Sequence, residues 1–375
     1  MPLHDGGGGS TRSIVTTAGL GVAAAAQQWH DPPMKAARLE AGKFHVRDVP
    51  IPEPGTDEAL VKLSAAGVCH SDLHLARGDW VGIPEIGTIG HEGIGIVEAL
   101  GPGADRFVAI GDRVILGLGG AGGGYWCGAC RQCIAGRTRL CVNTRMLMGT
   151  FAEYLPVWAP ALVKIPDSLS DREAPLACGG LTAYGAVKKL LAHGVVPGRP
   201  IAVIGAAGGL GHYAVQIATA FGYEVIGVDV GAQRLEFVRA LGASMAVDAN
   251  EALDAVRGTV GGVDASLIFS AKMAGFRLGF DLLGPHGLMV CVGLPATSEG
   301  NIEINPFAFF AKDATIIYSA VGTVEDMREL VALAAAGKVE SHVSRTGALS
   351  ELPAIFDELE AARYLGRAVL TDLSR

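Results

Sequence analysis

Ile201-Ala202-Val203-Ile204-Gly205-Ala206-Ala207-Gly208-Gly209-Leu210-Gly211 is the stretch on which the fold turns. Its first four residues are an unbroken apolar run, which reads as a strand buried on both faces, as in a parallel sheet. A glycine-rich turn follows and opens into Leu210 to Phe221, where Leu210, Ala214, Ile217 and Phe221 fall on one helical face. Glu224 to Val228 is the next strand, closed by Asp229. The glycines permit a tight turn and let a pyrophosphate approach the amides at the helix N-terminus, where the dipole favours negative charge. Asp229 stands about 20 residues further on, where a carboxylate accepts hydrogen bonds from an adenosine ribose and repels a 2′-phosphate. Its plainer reading is a cap on the following helix. The expectation is a dinucleotide site that prefers NAD to NADP, built from Gly205, Gly208, Gly209, Leu210, Gly211, Asp229 and Arg234.

Downstream the alternation continues. Arg234 to Leu241 reads as a helix stopped by Gly242, with strands at Ser244 to Val247, Ala265 to Phe269, Leu288 to Val292 and Ala314 to Tyr318. This predicts a doubly wound parallel sheet. Helices at Val324 to Ala336 and Ala354 to Tyr364 follow. Upstream, from Met34 to about Pro166, short apolar runs are cut by Gly, Pro and Asp, which predicts an all-β module with functional loops and no long regular helix. Residues 1–33 carry a Gly6–Gly9 run and a small apolar segment, Ile14 to Ala26. Ala24-Ala25-Ala26 resembles a signal-peptide cleavage site, but Arg12 alone precedes the apolar run, so a disordered or appended extension is expected.

The chain has 375 residues, half of them hydrophobic, enough for two or three domains. A formal charge of −8 argues against a nucleic-acid partner. No segment reads as a membrane span. The seven cysteines include a dense group, which in a chain of this length points to metal thiolates in a reducing, cytoplasmic setting.

Gly67-Val68-Cys69-His70-Ser71-Asp72-Leu73-His74 crowds a thiol, two imidazoles, a hydroxyl and a carboxylate into six positions from Cys69. Gly90-His91-Glu92 and Cys178-Gly179-Gly180-Leu181-Thr182 add further donors. Singly, each cysteine reads as a small buried hydrophobe and each histidine as a hydrogen-bonded structural residue. Together, Cys69, His91 and Cys178 make a two-thiolate, one-imidazole set that binds catalytic zinc and leaves one position open. Cys127, Cys130, Cys133 and Cys141 follow a C-x2-C-x2-C-x7-C spacing that suits a closed, structural zinc site. An iron–sulfur cluster and a nucleic-acid-binding zinc ribbon are the competing readings.

With these motifs in hand, the chain from Met34 onward resembles the zinc-dependent medium-chain alcohol dehydrogenases, closest to their microbial NAD-linked branch. The resemblance implies a GroES-like β-barrel catalytic domain over 34–178 and 317–375, with a Rossmann domain over 179–316 inserted between. It implies that Cys69, His91 and Cys178 hold the catalytic zinc, that Glu92 is a carboxylate able to replace a ligand, and that Asp72 orients the site. Ser71 and His74 match a proton relay, His70 and Arg367 pyrophosphate contacts, Thr182 and Val292-Gly293-Leu294 the nicotinamide surroundings, and Trp80 a substrate-pocket wall. The loop Gly117 to Trp126 is longer than usual and the connection Cys141 to Phe151 shorter, which leaves substrate preference open.

The activity so implied is reversible oxidation of an alcohol to an aldehyde or ketone with NAD and two zinc ions per chain. The resemblance also implies a tetramer, with a dimer as the alternative. The rivals are an NADPH-linked aldehyde reductase of the same superfamily and a non-catalytic protein that keeps zinc and nucleotide as structural ligands. Cys291 reads as core, and His4, His30, His193 and His286 have no evident partners. His212 reads as a helix cap in preference to a cofactor contact, while Trp126 and Trp158 belong to pocket or core.

Overall fold

The computed structural model describes residues 33–40, 42–80, 87–116 and 120–375. The expected extension therefore lies, but for Pro33, outside the described residues. Six strands form one parallel sheet in the spatial order Met245–Asp248, Glu224–Asp229, Pro200–Ile204, Val263–Ile268, Leu283–Cys291, Thr315–Tyr318. The chain enters at Pro200–Ile204, winds to one edge, then crosses back. The direction of winding reverses beside Pro200–Ile204, and such a reversal opens a crevice at the strands' carboxyl ends.

The apolar run Ile201 to Ile204 alternates faces. Ile201 and Val203 pack with Ile217 and Leu190 of the helices Gly211–Ala220 and Gly179–Ala192, while Ala202 and Ile204 pack with Val256, Phe276 and Phe280 on the other side. Helices on both faces explain why the strand is apolar throughout. The expected domain boundary at 316/317 cuts Thr315–Tyr318, whose ladder with Leu283–Cys291 runs unbroken from Thr315 to Tyr318. The nucleotide sheet thus extends past the expected limit, because its hydrogen bonds do.

The second sheet has seven strands centred on Glu58–Val68, which pairs antiparallel with Gly93–Leu100, Tyr154–Trp158 and Arg367–Asp372. The chain's last strand thereby returns to the first module and sets Ala368 opposite Val68. After Val68 and Cys69 the chain turns into a short, two-turn helix, His70–Arg77. Among the described residues no helix is long and apolar enough to cross a membrane.

Candidate active site and metal centres

The helix His70–Arg77 begins at Cys69 because Asp72, three residues on, accepts the Cys69 backbone N–H at 3.1 Å. It ends at Gly78, which takes the left-handed conformation at φ 67°. The other Asp72 oxygen accepts the Gly90 N–H at 3.1 Å and the His91 Nδ1–H at 2.8 Å. One buried carboxylate therefore orients both Cys69 and His91. With Nδ1 donating, the His91 Nε2 lone pair is left over, and that buried atom has no partner in the protein.

The donor atoms of Cys69, His91, Glu92 and Cys178 all lie within 4.8 Å of one another. Cys178 arrives from a separate element, at the head of the helix Gly179–Ala192. Gly67 must lack a side chain, since a Cβ there would stand 2.1 Å from a Glu92 oxygen. Glu92 accepts the Gly179 N–H at 3.3 Å and is ion-paired with the buried Arg367 guanidinium. Burial pushes the Glu92 carboxyl up to about 7 against the pull of Arg367. The Cys69 thiol sits well below its ordinary range because Cys178 donates to it, with His91 helping and burial opposing. An orphaned imidazole nitrogen facing two sulfurs, one of them thiolate-favouring, fits a cation such as zinc.

This cluster floors a cleft of about 600 Å³. Around it stand His70, Ser71, His74, Trp80, Thr182, Arg234, Val292, Gly293, Leu294 and Arg367, together with the turn Gly208 to Gly211. His74 Nδ1 meets Asp79 at 2.7 Å and its ring lies 5.0 Å from Trp80, whose Nε1–H donates to the Pro295 carbonyl at 3.3 Å. Asp72 and Glu92 stand behind the ligands. The turn is cut to the backbone: a Cβ on Gly211 would lie 2.0 Å from the Gly205 carbonyl oxygen. That bare cradle, open to the cleft, fits a pyrophosphate.

Gly205 and Asp229 do not reach the cleft wall. Asp229 accepts the Ala207 N–H at 2.8 Å and the Val230 N–H at 2.9 Å, with Arg234 at 3.5 Å, so it braces the turn from beneath. It does not cap the next helix, whose N-cap is Gly231. His212 is no helix cap either: it is buried and donates to a carbonyl. Trp126 and Trp158 pack edge to face at 4.4 Å and leave the cleft to other residues, while Cys291 is buried in a strand as expected. Among the histidines without evident partners, His193 bonds the Lys189 carbonyl and His286 pairs with Asp313. Sequence reasoning missed Asp79 and Met146, a residue of the cleft wall. The shortened Cys141 to Phe151 connection was the available signal for Met146, and none marked Asp79.

In the cysteine lobe the four sulfurs also lie within 4.8 Å of one another, with Cys127–Cys141 and Cys130–Cys133 each 3.6 Å apart. Zinc–sulfur bonds of about 2.3 Å put tetrahedral sulfurs roughly 3.8 Å apart, so these distances suit a single ion. The Cys133 and Val142 amides pull Cys130 down to about 6, whereas burial and the neighbouring sulfurs push Cys133 up to about 12.

A doubly wound parallel sheet with a bare glycine turn, beside a GroES-like β-module whose cysteine and histidine donors could hold a metal ion, is the design of a medium-chain dehydrogenase. The profile described as alcohol dehydrogenase GroES-like domain matches residues 55–167, and that described as zinc-binding dehydrogenase matches 209–336. An alcohol dehydrogenase of Geobacillus stearothermophilus is 38% identical over 348 residues, covering 90% of this chain and 99% of that one. The alcohol dehydrogenase of Aeropyrum pernix superposes with a TM-score of 0.81 at 34% identity, covering 90% and 99% of the two chains. Acetophenone reductase from Geotrichum candidum, solved with NAD, gives 0.77 at 30% identity over 91% and 98%. The chain belongs to the zinc-dependent medium-chain alcohol dehydrogenase family, and it is an oxidoreductase.

Proposed function

We propose that the enzyme reversibly oxidises primary or secondary alcohols to aldehydes or ketones with NAD, at a zinc site formed by Cys69, His91 and Cys178. The observation that carries this is the partnerless His91 Nε2 beside two cysteine sulfurs, on the floor of the cleft that the glycine turn walls. Zinc held there supplies a Lewis acid that lowers the pKa of an alcohol oxygen. NAD supplies the hydride acceptor.

The chain's own residues do the rest. The Ser71 hydroxyl takes the alcohol's proton as it gives up its own, and His74, oriented by Asp79, conveys the released proton to solvent. Arg367 and the turn amides hold the cofactor's phosphates, with His70 beside them. Thr182 and Val292 to Leu294 flank the nicotinamide, and Trp80 with Met146 shapes the apolar end for substrate. A negative Asp229 beneath the ribose side favours NAD over NADP.

The four-cysteine lobe is read as a structural zinc site, giving two zinc ions per chain. Its thiols, all free, suit the cytoplasm. The edge strand Thr315–Tyr318, with Phe307 and Phe310 exposed beside it, favours a two-fold contact within a tetramer. The test is metal analysis with an alcohol panel: two zinc ions, and alcohol-dependent NADH formation lost on Cys69→Ser. NADPH-linked aldehyde reduction without NAD activity would favour the reductase reading, and no turnover of any alcohol would favour a binding protein.

A further inference from the structure

His212 has no part in the chemistry above. It is the second residue of the helix Gly211–Ala220, fully buried, and lies off the cleft wall. Its Nδ1–H donates to the Gly208 carbonyl at 3.1 Å, which leaves Nε2 as an acceptor, and Nε2 takes the backbone N–H of His342 at 3.4 Å. Only a neutral ring makes both bonds at once. Burial against Tyr213 and Phe237 pushes its pKa down to about 3, so the ring is neutral throughout the working range.

His342 belongs to the segment that returns to the catalytic module. Its carbonyl accepts the Arg367 N–H at 2.8 Å, and the Arg367 guanidinium reaches back to the Gly209 carbonyl at 3.4 Å. A closed circuit results: Gly208, His212, His342, Arg367, Gly209. Two of its links cross from the glycine turn to the C-terminal segment. Within the C-terminal segment the His342 to Arg367 step has little slack, since a Cβ on Gly366 would lie 2.2 Å from the His342 carbonyl oxygen.

We propose that His212 is a positioning residue, clamping the glycine turn to the strand that carries Arg367 and thereby setting the grip on the dinucleotide pyrophosphate. The proposal rests on reading the glycine turn as the pyrophosphate site. A space-filling residue would hold the helix in place but would not tie the turn to the other module.

The test is NADH binding by fluorescence titration of the zinc-loaded enzyme, with KM and kcat measured alongside. His212→Gln keeps an acceptor near the Nε2 position, His212→Asn keeps only a donor toward Gly208, and His212→Leu keeps volume alone. Loss of one buried hydrogen bond corresponds to about tenfold in affinity. The Asn and Leu variants should weaken NADH binding by about that factor and raise the KM for NAD in parallel, with kcat at saturation little changed, while Gln stays near the parent. Parent-like binding by His212→Leu, or equal losses in Asn and Gln, overturns the clamp. Failure of the parent itself to bind NADH overturns the pyrophosphate reading and the clamp with it. Should the variants not fold, 15N-histidine spectra of the parent decide. In the zinc-loaded parent His91, with Nδ1–H on Asp72, is one ring that does not titrate; a second ring fixed as the neutral Nδ1–H tautomer from about pH 8 to 5 supports the clamp, and titration of every ring but His91 overturns it.

Discussion

The Asp72 carboxylate receives the His91 Nδ1–H at 2.8 Å, with both side chains shut off from solvent. The same carboxylate holds the Cys69 amide, so two proposed zinc ligands share one orienting group. Losing such a partner lowers metal affinity by about 10- to 100-fold. Asp72→Asn, which removes the charge and can present a donor to Nδ1, should release zinc from the catalytic site at correspondingly lower chelator concentration. Unchanged retention against a graded chelator series would show that Asp72 does not set the site.

Cys133 is the lobe thiol that burial disfavours most as a thiolate, so it should gain most from a cation. With Cys133→Ser only three sulfurs remain, and a structural site closed by four ligands loses its metal. Metal analysis should fall from two zinc ions per chain to one, and protease should then cut within the lobe. Two ions still bound would remove the lobe from the list of zinc sites.

The nucleotide sheet was legible because Ile201 to Ile204 must be apolar on both faces, and a run of that kind followed by a glycine turn has few alternatives. The helix His70–Arg77 was not. Its buried residues are only Asp72 and Leu73, so it lacks an apolar stripe, and its start is set by Asp72 binding the Cys69 amide, a link hidden within the dense polar motif. The pairing of Arg367–Asp372 with Glu58–Val68 spans most of the chain, and no local pattern encodes such a register. Asp229 was placed correctly at its strand end, but its hydrogen bond to the Ala207 amide depends on the folded turn.

That hydrogen bond shapes the outcome of Asp229→Ser. The change removes the charge proposed to oppose a 2′-phosphate and takes a hydrogen-bond acceptor from the turn, so NADP use should rise while NAD binding weakens. Close like-charge repulsion costs several kcal/mol, so the NAD-to-NADP ratio of kcat/KM should fall by about 100-fold. Preference for NADPH in the unmodified enzyme would refute the role given to Asp229.

Phe307 and Phe310 are 75% and 78% exposed on the helix Pro306–Lys312, next to the edge strand of the nucleotide sheet. Apolar rings so exposed suit the contact between copies of the chain that the proposed tetramer requires. Phe310→Asp should lower the mass seen by light scattering to that of a smaller assembly. An unaltered mass would move the interface elsewhere.

Acid stability offers a further check on His212. Its folded-state pKa of about 3 lies below the ordinary 6.5, so the unfolded chain binds a proton that the folded chain refuses. The group therefore costs nothing above about pH 6.5 and destabilises the fold as pH falls from there toward 3. At pH 5 the gap to the ordinary value corresponds to roughly 2 kcal/mol. His212→Gln has no such proton to exclude, so its stability relative to the parent, compared by urea unfolding at pH 7 and pH 5, should improve by about that amount at the lower pH. If the difference between the two proteins is the same at both pH values, the His212 ring is equally protonated in the folded and unfolded chains and is not buried neutral between Gly208 and His342.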